Sequence, residues 1–190
     1  MFNPWIGSRY EKQKTLLLLE SVYDWTKDGI TYSPEPNHPS QIVEDAFINP
    51  LQGSYTMITM NRAICGRADP TPEQAADRWH NFALAEYIPV SLGPGSAARP
   101  SPAHWRQAEQ EWPALLGLLR PRTVIVLGRT MWSWMPKTQE IVNDYVQGYA
   151  LDDGEIAMCF ATYHPSPRAG RDWRFFADFI ADVERQRHLN

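Results

Sequence analysis

Cysteine is scarce: the 190 residues hold two, Cys65 and Cys159. They stand far apart, in no spacing that suits zinc, an iron–sulfur cluster or a disulfide framework. No metal and no cofactor is therefore expected, and a reducing, cytoplasmic setting fits. Cys159 sits inside an apolar run and reads as a small core residue. Long hydrophobic runs are also missing. None approaches the roughly 20 residues of a membrane span, so no membrane partner is expected. The N-terminus lacks the basic and then apolar pattern of a secretory signal. Internal repeats and low-complexity tracts are absent, and so is an excess of positive charge. A formal net charge of −4 excludes a protein that binds nucleic acid by bulk charge alone.

What is present is enough apolar material, 43% of residues, for a soluble globular fold. The length suits one domain spanning residues 1–190, expected as a monomer with no obligate protein partner. Charge is uneven. Residues 1–90 carry 7 Lys and Arg against 11 Asp and Glu, while residues 91–190 carry 11 of each. Arg99 and Arg106 lie in an acid-free stretch, 91–106. Arg168, Arg171 and Arg174 face Asp172 alone. Two local basic patches of this kind suit phosphate contacts on an acidic chain.

Four apolar segments read as strands buried on both faces: Thr15 to Leu19, Phe82 to Tyr87, Thr123 to Leu127 and Ile156 to Tyr163. Helical spacing marks 102–119, with Trp105, Ala108, Trp112, Leu115, Leu116 and Leu119 on one stripe. It marks 172–187 as well, with Trp173, Phe176, Phe179, Ile180 and Val183. Thr71-Pro72-Glu73-Gln74 carries the signature of a capped helix start. Shorter helices are expected at 42–48 and from Thr130 to Trp134. Residues 52–64 are ambiguous between helix and strand, 1–14 read as a lead-in, and 24–40 and 89–102 read as loops. Alternating strands and helices predict an α/β fold, a three-layer sandwich with a four-stranded parallel sheet flanked by helices.

In a parallel sheet all strand C-termini share one edge, where ligands bind. The four ends are chemically loaded: Glu20-Ser21-Val22-Tyr23, Glu86-Tyr87, Gly128-Arg129 and His164-Pro165-Ser166. Pro165 and Pro167 have no N–H to continue a ladder, so His164 begins a rigid loop.

Leu-Leu-Leu-Leu-Glu-Ser-Val-Tyr, Phe-Ala-Leu-Ala-Glu-Tyr, Pro-Arg-Thr-Val-Ile-Val-Leu-Gly and Tyr-His-Pro-Ser-Pro-Arg, in this order and spacing, resemble the uracil-DNA glycosylase superfamily. The resemblance spans roughly residues 15–180. It implies a monofunctional DNA glycosylase acting on double- or single-stranded DNA, which flips a nucleotide out and leaves an abasic site. It implies that Glu20 is the catalytic acid near the sugar, with Asp24 as the alternative, and that His164 donates to O2 of the departing base. Ser21, Tyr23 and Glu86 would line the base. Ser166, Pro167, Arg168 and Arg171 would hold the DNA strand.

The departures bear on substrate. Leu19 stands where the family has Gly, and Ser21 where classical uracil enzymes have a catalytic Asp. Glu86 replaces an Asn that donates to uracil O4 and accepts from N3–H. An ionised Glu sets acceptor against acceptor at O4. Cytosine offers the reverse pattern, an N4 donor and an N3 acceptor, and a protonated Glu would serve both. The expected base is thus of the cytosine type. Some proteins that resemble this family excise modified bases from phage DNA, so the resemblance implies a modified cytosine, hydroxymethylated or glucosylated, in foreign DNA, with antiphage defence as the role. Asn81 is an alternative registration on the wrong end of its strand. The rival readings are a uracil repair glycosylase, an inactive DNA-binding module, and a nucleotide- or sugar-binding protein using Gly93-Pro94-Gly95-Ser96. A Ser21–His164 hydrolase lacks a nucleophile elbow.

Overall fold

The structure is a computed structural model that describes residues 2–95 and 98–187. Its strands are β1 (Trp5–Ile6), β2 (Thr15–Leu19), β3 (Trp25–Lys27), β4 (Ile30–Tyr32), β5 (Phe82–Glu86), β6 (Thr123–Leu127), β7 (Glu140–Asn143), β8 (Val146–Ala150) and β9 (Ile156–Thr162). Its helices are α1 (Tyr10–Gln13), α2 (His38–Ile48), α3 (Tyr55–Cys65), α4 (Pro72–Trp79), α5 (Pro102–Leu119), α6 (Arg129–Trp134) and α7 (Trp173–Arg187).

Seven strands form one sheet in the order β1-β5-β2-β6-β9-β8-β7. The four expected strands are its parallel heart, β5-β2-β6-β9. β1 adds an antiparallel edge beside β5, and the β8–β7 hairpin extends the other side. Every residue of β2, β5 and β6 is buried, because helices cover both faces.

Alternate residues feed two apolar layers. Leu16, Leu18, Ala83, Ala85, Val124 and Val126 pack with Trp105, Trp112 and Leu116 of α5. Leu17, Leu19, Leu84, Ile125 and Leu127 pack with Met60 and Ile64 of α3, Trp79 of α4, and Phe176 and Ile180 of α7. The fold is thus the expected α/β sandwich, with a longer sheet than four strands. Among the described residues no helix is long and apolar enough to cross a membrane.

Local signals explain the helix starts. Thr71 Oγ1 accepts from Gln74 N at 3.3 Å, and Gln74 Oε1 accepts from Thr71 N at 3.1 Å, the reciprocal cap read in the sequence. Ser54 Oγ accepts from Met57 N at 3.2 Å and resolves the ambiguous 52–64 stretch as helix.

Three expectations change. The 24–40 loop contains the β3–β4 hairpin. Its turn residues Asp28 and Gly29 both have positive φ, the turn that matches strand twist. The 1–14 lead-in supplies β1 and the short α1. The 136–155 stretch, in which no element was expected, forms β7 and β8.

A buried polar bridge ties the helical layer behind the site. Asn61 is 1% exposed. Its Oδ1 accepts from Trp79 Nε1 at 2.9 Å and its Nδ2 donates to Pro50 O at 2.8 Å. Asn61→Ala strands two buried polar groups. It is expected to cost about 1–3 kcal/mol, read as a lowered urea midpoint with an unchanged slope.

Candidate active site

Parallel pairing sets Leu19 opposite Glu86. The ladder continues past the strand ends, where Tyr87 N donates to Leu19 O at 2.8 Å and Ile88 N donates to Glu20 O at 3.0 Å. Glu20 and Glu86 therefore leave neighbouring strands at one level. On the other side of β2, β6 ends at Gly128, and β9 delivers His164 beyond it. A methyl group added to Gly128 would stand 3.9 Å from Glu20 Oε2 and 4.0 Å from His164 Cδ2. Gly128 also has φ +155°, which L side chains rarely adopt. Glycine keeps the floor open between the carboxyl and the imidazole.

These residues open into a cavity of 690 Å³. Glu20, Ser21, Tyr23, Asp24, Glu86 and His164 line its sheet end, so one hollow holds both expected catalytic residues and all three expected base contacts. Trp25, His38, Asp45, Gln52, Ser54 and Thr56 also line it, from the hairpin, α2, and the approach to and first turn of α3. The lining contains no Lys or Arg among the described residues.

Electrostatics separate the two carboxyls. Glu86 is 7% exposed, and its Oε2 has no hydrogen-bond partner among the described residues. Burial, with the nearby Glu20 charge adding to it, pushes its pKa up to about 8. Glu20 is half-buried; burial raises its pKa too, but the Arg99 guanidinium opposes the rise. Between two carboxyls that cannot both ionise cheaply, Glu86 keeps the proton and Glu20 takes the charge. Burial and Arg99 both lower the pKa of His164, which favours the neutral imidazole. Ser21 Oγ is a second buried polar atom without a partner among the described residues.

Asp24, the alternative acid, lines the same cavity and holds a loop. Its Oδ1 accepts from Ser91 Oγ at 2.6 Å, its N donates to Gly93 O at 2.9 Å, and its O accepts from Gly95 N at 3.3 Å. It fastens the 89–95 loop over the site. Gly93 and Gly95 serve that attachment, and Ser96 of the glycine-rich pattern lies outside the described residues. Asn81 sits at the start of β5, where its Oδ1 accepts from Arg9 Nε at 3.0 Å.

The expected strand-holding residues follow His164 in the chain and are not in the cavity lining. Pro167 and Arg168 are exposed on a 3₁₀ turn, Pro167–Ala169, which the Ser166 carbonyl helps to close by accepting from Ala169 N at 3.1 Å. Arg171 is exposed and lies over the rings of Tyr163 and Phe175. Among the described residues no cluster of His, Cys, Asp and Glu is arranged to hold a metal ion.

The hollow at the C-terminal edge of the parallel sheet thus brings a carboxyl and an imidazole to the same floor, on either side of Gly128. The profile of the uracil DNA glycosylase superfamily matches residues 59–184. The chain belongs to this superfamily, whose activity is DNA glycosylase chemistry on DNA. No curated protein matches the chain.

Sequence reasoning missed the side of the cavity that the hairpin and α2 line. Trp25 and His38 lay in a stretch read only as loop, and their stacking at 6.2 Å needs the hairpin to bring them together. Arg99 was flagged only as part of a basic stretch; its reach to both Glu20 and His164 is a tertiary fact.

A buried carboxyl with a raised pKa stabilises the fold fully below its unfolded pKa, and that contribution is lost as pH rises through the folded value. Wild type is therefore expected to lose stability between about pH 4.5 and about pH 8 on account of Glu86. Glu86→Gln removes that loss. Its melting temperature should match wild type near pH 4 and exceed it at pH 9, in thermal unfolding followed by circular dichroism.

Proposed function

We propose that the protein is a DNA glycosylase that excises a C5-modified cytosine, hydroxymethylated or glucosylated, from foreign DNA and leaves an abasic site, as a defence against phage. The observation that carries the base assignment is the buried Glu86 carboxyl: its Oε2 has no hydrogen-bond partner among the described residues, and Glu86 lines the cavity that also holds Glu20 and His164.

The reaction follows from the charges that develop. The C1′–N1 bond breaks, its electron pair leaves with the base, and the sugar becomes cationic. Glu20 as carboxylate stabilises the sugar charge, orients water towards C1′ and accepts its proton. Neutral His164 donates an N–H to O2 of the departing base. Glu86 as a neutral acid accepts from N4–H and gives its O–H to N3. That proton withdraws electrons from the ring and makes cytosine a better leaving group. A neutral carboxyl can also turn its O–H towards uracil O4. Uracil N3, however, already carries hydrogen, so the proton cannot activate it in the same way. This asymmetry favours cytosine.

The cavity supports the modification. Its 690 Å³ lies in the range of pockets that hold drug-sized ligands and exceeds what a bare pyrimidine fills. Away from the strand ends the lining offers an aromatic ring, hydroxyls, an amide and Asp45, with no cation, which suits an uncharged hydroxylated substituent.

Duplexes containing uracil, cytosine, hydroxymethylcytosine or glucosylated hydroxymethylcytosine, assayed for abasic sites, test this reading. Release of a modified cytosine ahead of uracil is expected; preference for uracil would sink it. Glu20→Gln should slow release by about 10²–10⁴-fold and His164→Ala by about 10²–10³-fold. Glu86→Asn should gain uracil release while losing the cytosine type. Release undiminished in the Glu20→Gln, His164→Ala double variant would rule out the mechanism.

A further inference from the structure

Gly128 is followed by Arg129, an exposed residue at the same sheet edge as the cavity. Its guanidinium carbon stands 3.8 Å from the ring centre of Tyr163 and 4.4 Å from that of Tyr145. Tyr163 is the residue immediately before His164. Its ring is shared with Arg171, whose guanidinium carbon is 5.0 Å from it and 5.1 Å from the Phe175 ring.

Two cations held to one ring repel each other, yet among the described residues no carboxylate lies within ion-pair distance of either. The adjacent acid, Asp172, is taken by Arg174 at 2.9 Å. The positive charge is thus concentrated and uncompensated.

The arrangement is built from the backbone outward. Tyr145 occupies the turn between β7 and β8. Its carbonyl accepts from Ala161 N at 2.8 Å, its N donates to Asn143 Oδ1 at 2.8 Å, and the neighbouring Asp144 O accepts from Trp132 Nε1 at 2.8 Å. β9, the turn itself and α6 therefore fix the ring that covers Arg129. On the other side, Tyr163 meets Phe175 edge-on at 5.8 Å. Rings that hold a guanidinium by its face leave its N–H edge free to fork onto an anion. They also spend in advance the side-chain entropy that a free arginine loses on binding.

We propose that Arg129 and Arg171, braced by Tyr145, Tyr163 and Phe175, form a phosphodiester clamp for the DNA strand that carries the flipped nucleotide. The clamp makes the β7–β8 hairpin part of the DNA interface. It also sets the strand beside His164, because the shared ring belongs to the preceding residue. The proposal rests on the reading of the chain as a protein that acts on DNA.

The test is the salt dependence of affinity for a duplex containing a tetrahydrofuran abasic analogue, by fluorescence anisotropy with the full chain. Each neutralised phosphate contributes about 0.9 to the slope of log K against log salt. Arg129→Gln, which keeps a planar side chain without charge, should lower the slope by about that amount and weaken binding several-fold. Tyr145→Ala should weaken binding less and keep the slope. Tyr145→Phe should match wild type, and so should Arg122→Gln, which removes a cation at the opposite sheet edge. A wild-type slope in Arg129→Gln, or an equal fall in Arg122→Gln, overturns the clamp alone. Failure of wild type to bind the duplex at low salt overturns the DNA reading as well.

Discussion

Two carboxyl groups placed side by side, one of them fully enclosed, cannot both be ionised cheaply, and the rest of the site is arranged around that constraint. Backbone pairing imposes it. Once β2 and β5 run parallel in register, Glu20 and Glu86 must emerge together. Their surroundings then divide the work. Glu86 is enclosed and has no hydrogen-bond partner for Oε2 among the described residues, while Glu20 is half-exposed and feels Arg99. The proton settles on the enclosed group and the charge on the open one. On the proposed reading, the base is recognised by the first and the developing sugar cation is stabilised by the second. The same Arg99 helps to keep His164 neutral, so a single loop cation biases both Glu20 and His164.

The elements around this pair hold it and give access to it. Gly128 leaves room between carboxyl and imidazole. Asp24 anchors the 89–95 loop. The hairpin and α2 carry the cavity outward past the size of a bare base, to the stacked Trp25 and His38. A separate hollow of 790 Å³ opens at the other end of the strands, among Thr123, Val142, Ile156 and Val183. It holds none of Glu20, Glu86 or His164, so volume alone does not locate the site.

Much of this was legible in the chain. Strands buried on both faces announce themselves as unbroken apolar runs, and Thr15–Leu19 and Thr123–Leu127 end where the pattern ends. Polar residues at those ends could be collected on one edge without coordinates, because parallel pairing leaves no other place for them. The short edge strands were not legible. Trp5–Ile6 and Glu140–Asn143 are partly or wholly exposed, so burial writes no pattern into them. The β3–β4 hairpin hid in a polar stretch because its pairing depends on a positive-φ turn at Asp28-Gly29. Arg129 was noted at a strand end without a role, since its significance lies in two tyrosines from elements distant in sequence. The proton's preference for Glu86 over Glu20 is likewise a matter of surroundings that no spacing encodes.

The claim on which the functional reading stands is that Glu86 is a neutral acid at physiological pH. Titration of the glutamate side-chain carboxyls by carbon-detected magnetic resonance, with Glu86→Gln to assign the signal, measures this directly. A midpoint near 8 is expected, moving down in Glu20→Gln as the neighbouring charge is removed. A Glu86 midpoint in the ordinary carboxylate range would contradict the account.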